Sequence, residues 1–216
     1  MRFDAVLFDC DGVLVDSEPI TNAVLRAMLA ELGWELTLSQ CMDLFVGKSL
    51  KDETALIARH ARRPVAQDWL LEFQQRRNTA LLAQLTAIPN IHAAVRDIHN
   101  SLDARIACAS GADRYKVEIQ LRKVGLMDYF DGRIFSGYET PRSKPFPDVY
   151  LAAAAALQTS PQRCAVVEDT VIGVTAGVAA GACVFAYAPA GNAEALRQAG
   201  ASIVFTDMAQ LPALMN

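Results

Sequence analysis

A chain of 216 residues that is 52% apolar and 20% charged has ample material for a buried core and excludes wholesale disorder. Its formal net charge of −4 excludes the basic footprint of a general nucleic-acid binder, but not a small anionic ligand held by a few local cations and a metal. No apolar stretch is long and uncharged enough to span a bilayer, the opening MRFDAVLFDCDG has no signal-peptide core, and five scattered cysteines without a CxxC pair read as reduced thiols, so a cytoplasmic protein is expected.

In chain order, Ala5–Phe8 is a short apolar run ending in acidic residues, the pattern of a buried strand. From Glu18 to Leu32 the apolar positions Ile20, Val24, Ala27, Met28 and Leu32 have helical spacing, and Gly33 follows as a stop. Lys51–His60 and Asp68–Leu85 are expected to be helical too, so residues 18–86 contain no convincing strand. After Pro89 the pattern alternates. Strands are expected at Arg105–Ala109, Arg133–Phe135, Ala165–Val167, Ala182–Tyr187 and Ile203–Phe205. Helices are expected at Asp113–Val124, Pro147–Leu157, Val171–Ala180 and Asn192–Ala199. Such alternation implies parallel βαβ units. The expected fold is therefore α/β, a Rossmann-like parallel-sheet core with helices on both faces, interrupted after its first strand by an all-α cap. The core takes residues 1–16 and 88–216, the cap residues 17–87.

Ligands of open α/β sheets bind beyond the carboxyl ends of the strands. The first apolar run delivers Asp9-Cys10-Asp11-Gly12, the next Ser110-Gly111, and the Ala165–Val167 run Glu168-Asp169-Thr170; Lys144 precedes the Pro147 helix. Asp9 and Asp11, two apart, would share one face of a continuing strand, with Gly12 allowing a turn. Acids gathered in one cleft repel one another unless a cation joins them, and oxygen-only ligands suit Mg²⁺. Carboxylates can also accept phosphoryl groups. Cys10 should point the other way, into the core. His60, His92 and His99 lack ligand spacing and read as surface residues. Gly173 and Gly177 read as close helix–sheet packing, Gly181 as a helix stop, and Leu81, Leu82 and Leu85 as cap core.

These motifs, in this order and around a helical insertion, resemble the haloacid dehalogenase superfamily, in its phosphatase branch with a cap after the first strand. Asp9-Cys10-Asp11-Gly12-Val13 matches the first motif, Ser110 the second, Lys144 the third and Glu168-Asp169 the fourth. The resemblance implies a phosphoric monoester hydrolase. Asp9 would be nucleophile and Mg²⁺ ligand. Asp11 would act as acid and base, its carbonyl also binding metal. Asp169 would ligate metal, Glu168 directly or through water. Ser110 and the Gly111 N–H would hold phosphoryl oxygens, and Lys144 would offset charge beside Asp9. The cap would move on hinges near Asp16–Glu18 and Leu85–Pro89.

Substrate choice in this family lies largely with the cap. The loop Val46-Gly47-Lys48-Ser49-Leu50-Lys51-Asp52 offers Lys48 and Lys51, and the last cap helix offers Arg77 and Asn78, as readers of an anionic end or sugar hydroxyl. The partner implied is a small phosphorylated metabolite, a sugar phosphate or phosphorylated sugar acid such as 6-phosphogluconate. Hexose-phosphate mutases of this branch carry a histidine and an arginine where this chain has Thr21 and Leu50, which argues against that alternative. Asp11 and the Glu168-Asp169 pair argue against a true dehalogenase. A non-enzymatic phospho-accepting module is usually shorter and uncapped. No dimer signature stands out, so a monomer is expected, without nucleic-acid or membrane partners.

Overall fold

A computed structural model describes residues 2–48, 50–189 and 191–216; Ser49, in the cap loop read above, lies outside them. The chain runs through β1 (Ala5–Phe8), α1 (Glu18–Glu31), α2 (Leu38–Phe45), α3 (Thr54–His60), α4 (Trp69–Gln84) and α5 (Ile91–Ser101). It continues through β2 (Ile106–Ser110), α6 (Arg114–Lys123), α7 (Met127–Phe130), β3 (Ile134–Ser136), α8 (Asp148–Ala156) and β4 (Cys164–Glu168). It ends with α9 (Val171–Ala179), β5 (Cys183–Tyr187), α10 (Ala193–Gln198), β6 (Ile203–Phe205) and α11 (Leu211–Leu214). All six strands are parallel, in the order β3-β2-β1-β4-β5-β6. The expected α/β class is what the chain adopts. Every expected strand is present, within two residues of its expected ends.

Strand β1 shows how the sheet is buried on both sides. Val6 and Phe8 face one apolar cluster, completed by Ile91, Val95 and Ile98 of α5 and Val117 and Leu121 of α6. Ala5 and Leu7 face the other, with Val149, Tyr150 and Ala153 of α8 and Val174 of α9. This period-two division of a continuously apolar strand is what a doubly covered parallel sheet requires. Gly177 of α9 permits one of the closest approaches: a Cβ there would stand 2.9 Å from Val184 Cγ2.

Of the five helices among the described residues between β1 and β2, the first four, α1–α4, build a further apolar cluster from Leu25, Met28, Leu29, Cys41, Phe45, Ile57, Trp69 and Phe73. The two chain passages that join them to the sheet run side by side. Val15 forms an antiparallel bridge with Ala87, and Asp16 N–H donates to Thr86 carbonyl at 3.0 Å. The leucines near this crossing need a correction. Leu81 and Leu85 belong to the core cluster beneath β1, not to the helical insertion, and Leu82 is exposed. The end of α4 thus packs on the α/β body. All five cysteines are free, four of them buried, and no helix among the described residues is long and apolar enough to cross a membrane.

Candidate active site

The sheet's strand order reverses at β1, which has β2 on one side and β4 on the other. That is the switch point where open α/β sheets form their ligand crevice. Here the chain ends of β1, β2 and β4 place Asp9, Asp11, Ser110 and Glu168 on one cleft, together with Lys144.

Lys144 ties two strand ends together: its Nζ donates to Asp9 Oδ1 at 2.6 Å and to Glu168 Oε1 at 2.7 Å. Glu168 is buried and fully engaged. Its Oε1 also accepts from the Tyr150 hydroxyl at 2.8 Å, and its Oε2 accepts from the backbone N–H groups of Asp169 and Thr170 and from the Thr170 hydroxyl. Asp169 is the opposite case. Its Oδ1 is buried with no hydrogen-bond partner among the described residues. Single oxygens of Asp9, Glu168 and Asp169 all lie within 4.8 Å of one another. An orphaned carboxylate oxygen beside two further carboxylates is a set of oxygens that could hold a hard divalent cation.

The electrostatics agree. Burial pushes Asp9 up, Lys144 opposes this, and the negative charges of Glu168 and Asp11 add to the rise, leaving Asp9 at about 7. Asp169 is raised well above the ordinary carboxylate range, by burial first and then by Glu168 and Asp9. Burial would also raise Glu168, but the charge and hydrogen bond of Lys144, with Tyr150 and the Thr170 backbone, hold it low. Without a cation this cluster cannot comfortably ionise all of its acids.

Two glycines leave space for these carboxylates. A Cβ on Gly12, which has φ +76°, would stand 2.0 Å from Asp169 Oδ2. A Cβ on Gly173 would stand 1.8 Å from Glu168 Oε1, so Gly173 accommodates a carboxylate where the sequence suggested only sheet packing. Gly173→Ala is expected to destabilise the fold by about 2 kcal/mol or more through displacement of this engaged buried acid, checked by denaturant unfolding.

A family model for haloacid dehalogenase-like hydrolases matches residues 3–181. The chain belongs to the haloacid dehalogenase-like hydrolases. It is 29% identical over 215 residues to the 6-phosphogluconate phosphatase of Escherichia coli K12, covering 99% of this chain and 95% of that one. A haloacid dehalogenase-like protein from Agrobacterium tumefaciens C58 superimposes with a TM-score of 0.83 at 32% identity, over 99% of this chain and 97% of that one. A HAD family hydrolase from Deinococcus radiodurans R1, solved with bound phosphate and sodium, gives 0.78 at 36% identity, over 99% and 95%. This hydrolase is an enzyme, and a phosphatase like the relative it matches over its full length.

The remaining expected site residues are distributed unevenly. In this haloacid dehalogenase-like hydrolase, Ser110 is buried and its Oγ accepts Ala112 N–H at 3.1 Å; Gly111 also lines the cleft. Arg77 is buried on α4, lines the cleft, and donates from Nη2 to Asp113 Oδ2 at 3.0 Å, joining the helical insertion to α6. Asn78 stands behind it: its Oδ1 accepts from Arg77 Nε at 3.0 Å, and it does not line the cleft. Lys48 lines the cleft, is exposed, and lies 3.8 Å from Glu53 Oε1. Lys51 is exposed and off the cleft wall, 5.9 Å above the ring of Tyr138, which does line it. Cys10 points away into the core, where its Sγ lies 3.5 Å from Gln120 Oε1.

Asp11 is differently placed from Asp9. Lys116 Nζ lies 2.8 Å from Asp11 Oδ1, Gln120 Nε2 donates to the same oxygen at 2.8 Å, and Ser17, at the N-terminus of α1, donates its hydroxyl there too. Burial would raise Asp11, but Lys116 and these hydrogen bonds lower it to about 2. Sequence reasoning passed over Lys116 and Gln120, whose partner Asp11 is more than a hundred residues away, and Tyr150, whose partner Glu168 lies beyond its own helix. It also passed over Glu18, which lines the cleft and accepts from Asn22 Nδ2 at 2.9 Å. Burial, then the charge of Asp11, pushes Glu18 up to about 7 against the pull of Lys116. The folded value lies above the ordinary 4.5, so the unfolded chain holds fewer protons in between, and stability falls as pH rises from about 4.5 to 7. Glu18→Gln should flatten that fall by at most about 3.5 kcal/mol, each pH unit being worth about 1.4 kcal/mol. Parallel unfolding curves for both proteins across this range would contradict it.

Proposed function

We propose that the protein is a Mg²⁺-dependent phosphatase that moves a phosphoryl group from a small phosphorylated metabolite onto Asp9 and then to water. The observation that carries the reading is the cluster of Asp9, Glu168 and Asp169, with its buried, partnerless Asp169 oxygen, at the switch point of the sheet and within reach of Lys144. Asp9, Asp169, Glu168 and the Asp11 carbonyl would hold the ion. Bound there, it would supply charge neutralisation for the phosphoryl oxygens and for the acids around it.

The residues then divide the work. An Asp9 carboxylate oxygen attacks phosphorus, the ester P–O bond breaks, and the leaving oxygen takes a proton from Asp11. Water, giving a proton back to Asp11, attacks the same phosphorus and releases phosphate from Asp9. Asp11 is ionised in the ligand-free cleft, so it donates only after a dianionic phosphoryl group beside it has raised its proton affinity. Lys144 steadies Asp9, and Ser110 and the Gly111 N–H hold phosphoryl oxygens.

Residues 17–87 would act as a cap on the core of residues 1–16 and 88–216, hinged at the paired crossing of Val15–Asp16 and Thr86–Ala87. Its cations Lys48 and Arg77, which line the cleft, would face the far end of the substrate, while Lys51 and Asn78 stand off the cleft wall. The similarity to a 6-phosphogluconate phosphatase supports a sugar phosphate or phosphorylated sugar acid. The test is Mg²⁺-dependent phosphate release across sugar phosphates, phosphorylated sugar acids and nucleotides. Phosphorylated sugar acids are expected to give the highest kcat/KM, and alanine at Lys48 to raise KM by about tenfold with kcat nearly unchanged. Equal turnover of neutral sugar phosphates, with unchanged KM in alanine variants of Lys48, Lys51 and Arg77, would refute this substrate reading.

A further inference from the structure

Asp9 and Asp11 leave β1 two residues apart, yet only Asp9 joins Glu168 and Asp169 in the three-acid cluster. A divalent ion near a flexible carboxylate attracts it, so something must keep Asp11 out. The restraint is on α6. Lys116 and Gln120 are one helical turn apart and both face Asp11. Lys116 Nζ reaches both carboxylate oxygens, at 2.8 and 2.9 Å, and Gln120 Nε2 reaches Oδ1 at 2.8 Å. Both side chains are buried. The Gln120 amide is itself oriented, with Cys10 Sγ on its Oε1. Asp113 caps the start of helix α6: its Oδ1 accepts Lys116 N–H at 2.9 Å while its Oδ2 takes Arg77, so the base of Lys116 is fixed as well.

The charges explain why the restraint is cationic. Asp9, Asp11, Glu168 and Asp169 are neutralised in part by Lys144 and Lys116, and the two negative charges left over are what one divalent ion cancels. We propose that Lys116 and Gln120 are positioning residues that hold the Asp11 carboxylate apart from the Asp9–Glu168–Asp169 cluster, so that a cation there is ligated without it and Asp11 stays turned toward the reacting oxygens. The inference rests on the phosphatase reading above.

Loss of the Lys116 charge makes the cluster more negative and frees Asp11 to swing into it. Lys116→Met should therefore bind a cation more tightly while turning over more slowly, a combination that general damage to the fold does not produce. The experiment titrates Mn²⁺ alone into wild type, Lys116→Met, Lys116→Arg and Gln120→Leu, and measures kcat in Mg²⁺ with the best substrate of the panel. Lys116→Met is expected to lower kcat about 100-fold and to bind Mn²⁺ about three- to tenfold more tightly. Lys116→Arg should recover wild-type Mn²⁺ affinity and most of kcat. Gln120→Leu, which removes no charge, should lower kcat about tenfold at unchanged Mn²⁺ affinity. A folded Lys116→Met that keeps kcat within threefold of wild type, or binds Mn²⁺ no more tightly, overturns the proposal; should it not fold, wild-type kcat in Gln120→Leu does so. If wild type itself releases no phosphate, the phosphatase reading fails, and the Mn²⁺ titration alone decides where Asp11 is held.

Discussion

Asp9→Asn is expected to reduce phosphate release by at least about 10⁴-fold while leaving the fold intact. The substitution keeps the shape of the side chain and its place beside Lys144, but an amide oxygen is a far weaker nucleophile than a carboxylate. The expectation of an intact fold has its own basis. Burial, only partly opposed by Lys144, raises Asp9 from 3.8 to about 7. A carboxylate with a raised folded value lowers stability as pH climbs through that interval, because the unfolded chain releases its proton first. A neutral amide lacks this loss. In the absence of metal, Asp9→Asn should therefore melt no lower than wild type at pH 8. Turnover within tenfold of wild type would mean that water attacks the substrate directly or that another group accepts the phosphoryl.

The second large effect is that of the cation. Chelation is expected to lower turnover by at least about 10³-fold and to lower the melting temperature relative to protein saturated with Mg²⁺. Asp169 is the reason. Its Oδ1 is buried without a hydrogen-bond partner among the described residues, and its carboxyl is pushed well above the usual range by burial and by Glu168 and Asp9. A cation bound there would supply both the missing partner and the missing charge. At a hundredfold excess over its Kd, a ligand that binds only the folded state stabilises it by about 2.7 kcal/mol. For a chain of this length that is a shift of roughly 5–10 °C. Activity and melting temperature that both ignore chelator would exclude a metal role for the cluster.

Much of this architecture is legible from the amino-acid order because parallel strands buried on both faces read as short, continuous apolar runs. Ala5–Phe8 and Cys164–Glu168 are fully buried, and each ends in the acids that mark the site. Helix α5 is legible in the same way. Ile91, Ala94, Val95 and Ile98 have clear helical spacing and all are buried. Helix α2 likewise carries a capping box, Thr37 with Gln40, that announces its start. Other features depend on tertiary contact alone. Leu81 and Leu85 have the spacing of any helix core, and only the crossing of the chain assigns them to the α/β body. Lys116 and Gln120 lie 105 and 109 residues from Asp11 in sequence, on a helix with a polar average character, so no local signal shows that they turn inward. Tyr150, in an alanine-rich helix, reads as packing until its hydroxyl is seen on Glu168.

In the proposed reaction Asp9 itself carries the phosphoryl group. The most direct test of this is acid quench of the enzyme during turnover, reduction with borohydride, and peptide mass analysis. An aspartyl-phosphate at Asp9 would be reduced, leaving homoserine at position 9 in a fraction that depends on both substrate and Mg²⁺. Full phosphate release with Asp9 unmodified at every quench time, or the label on another residue, would contradict the account.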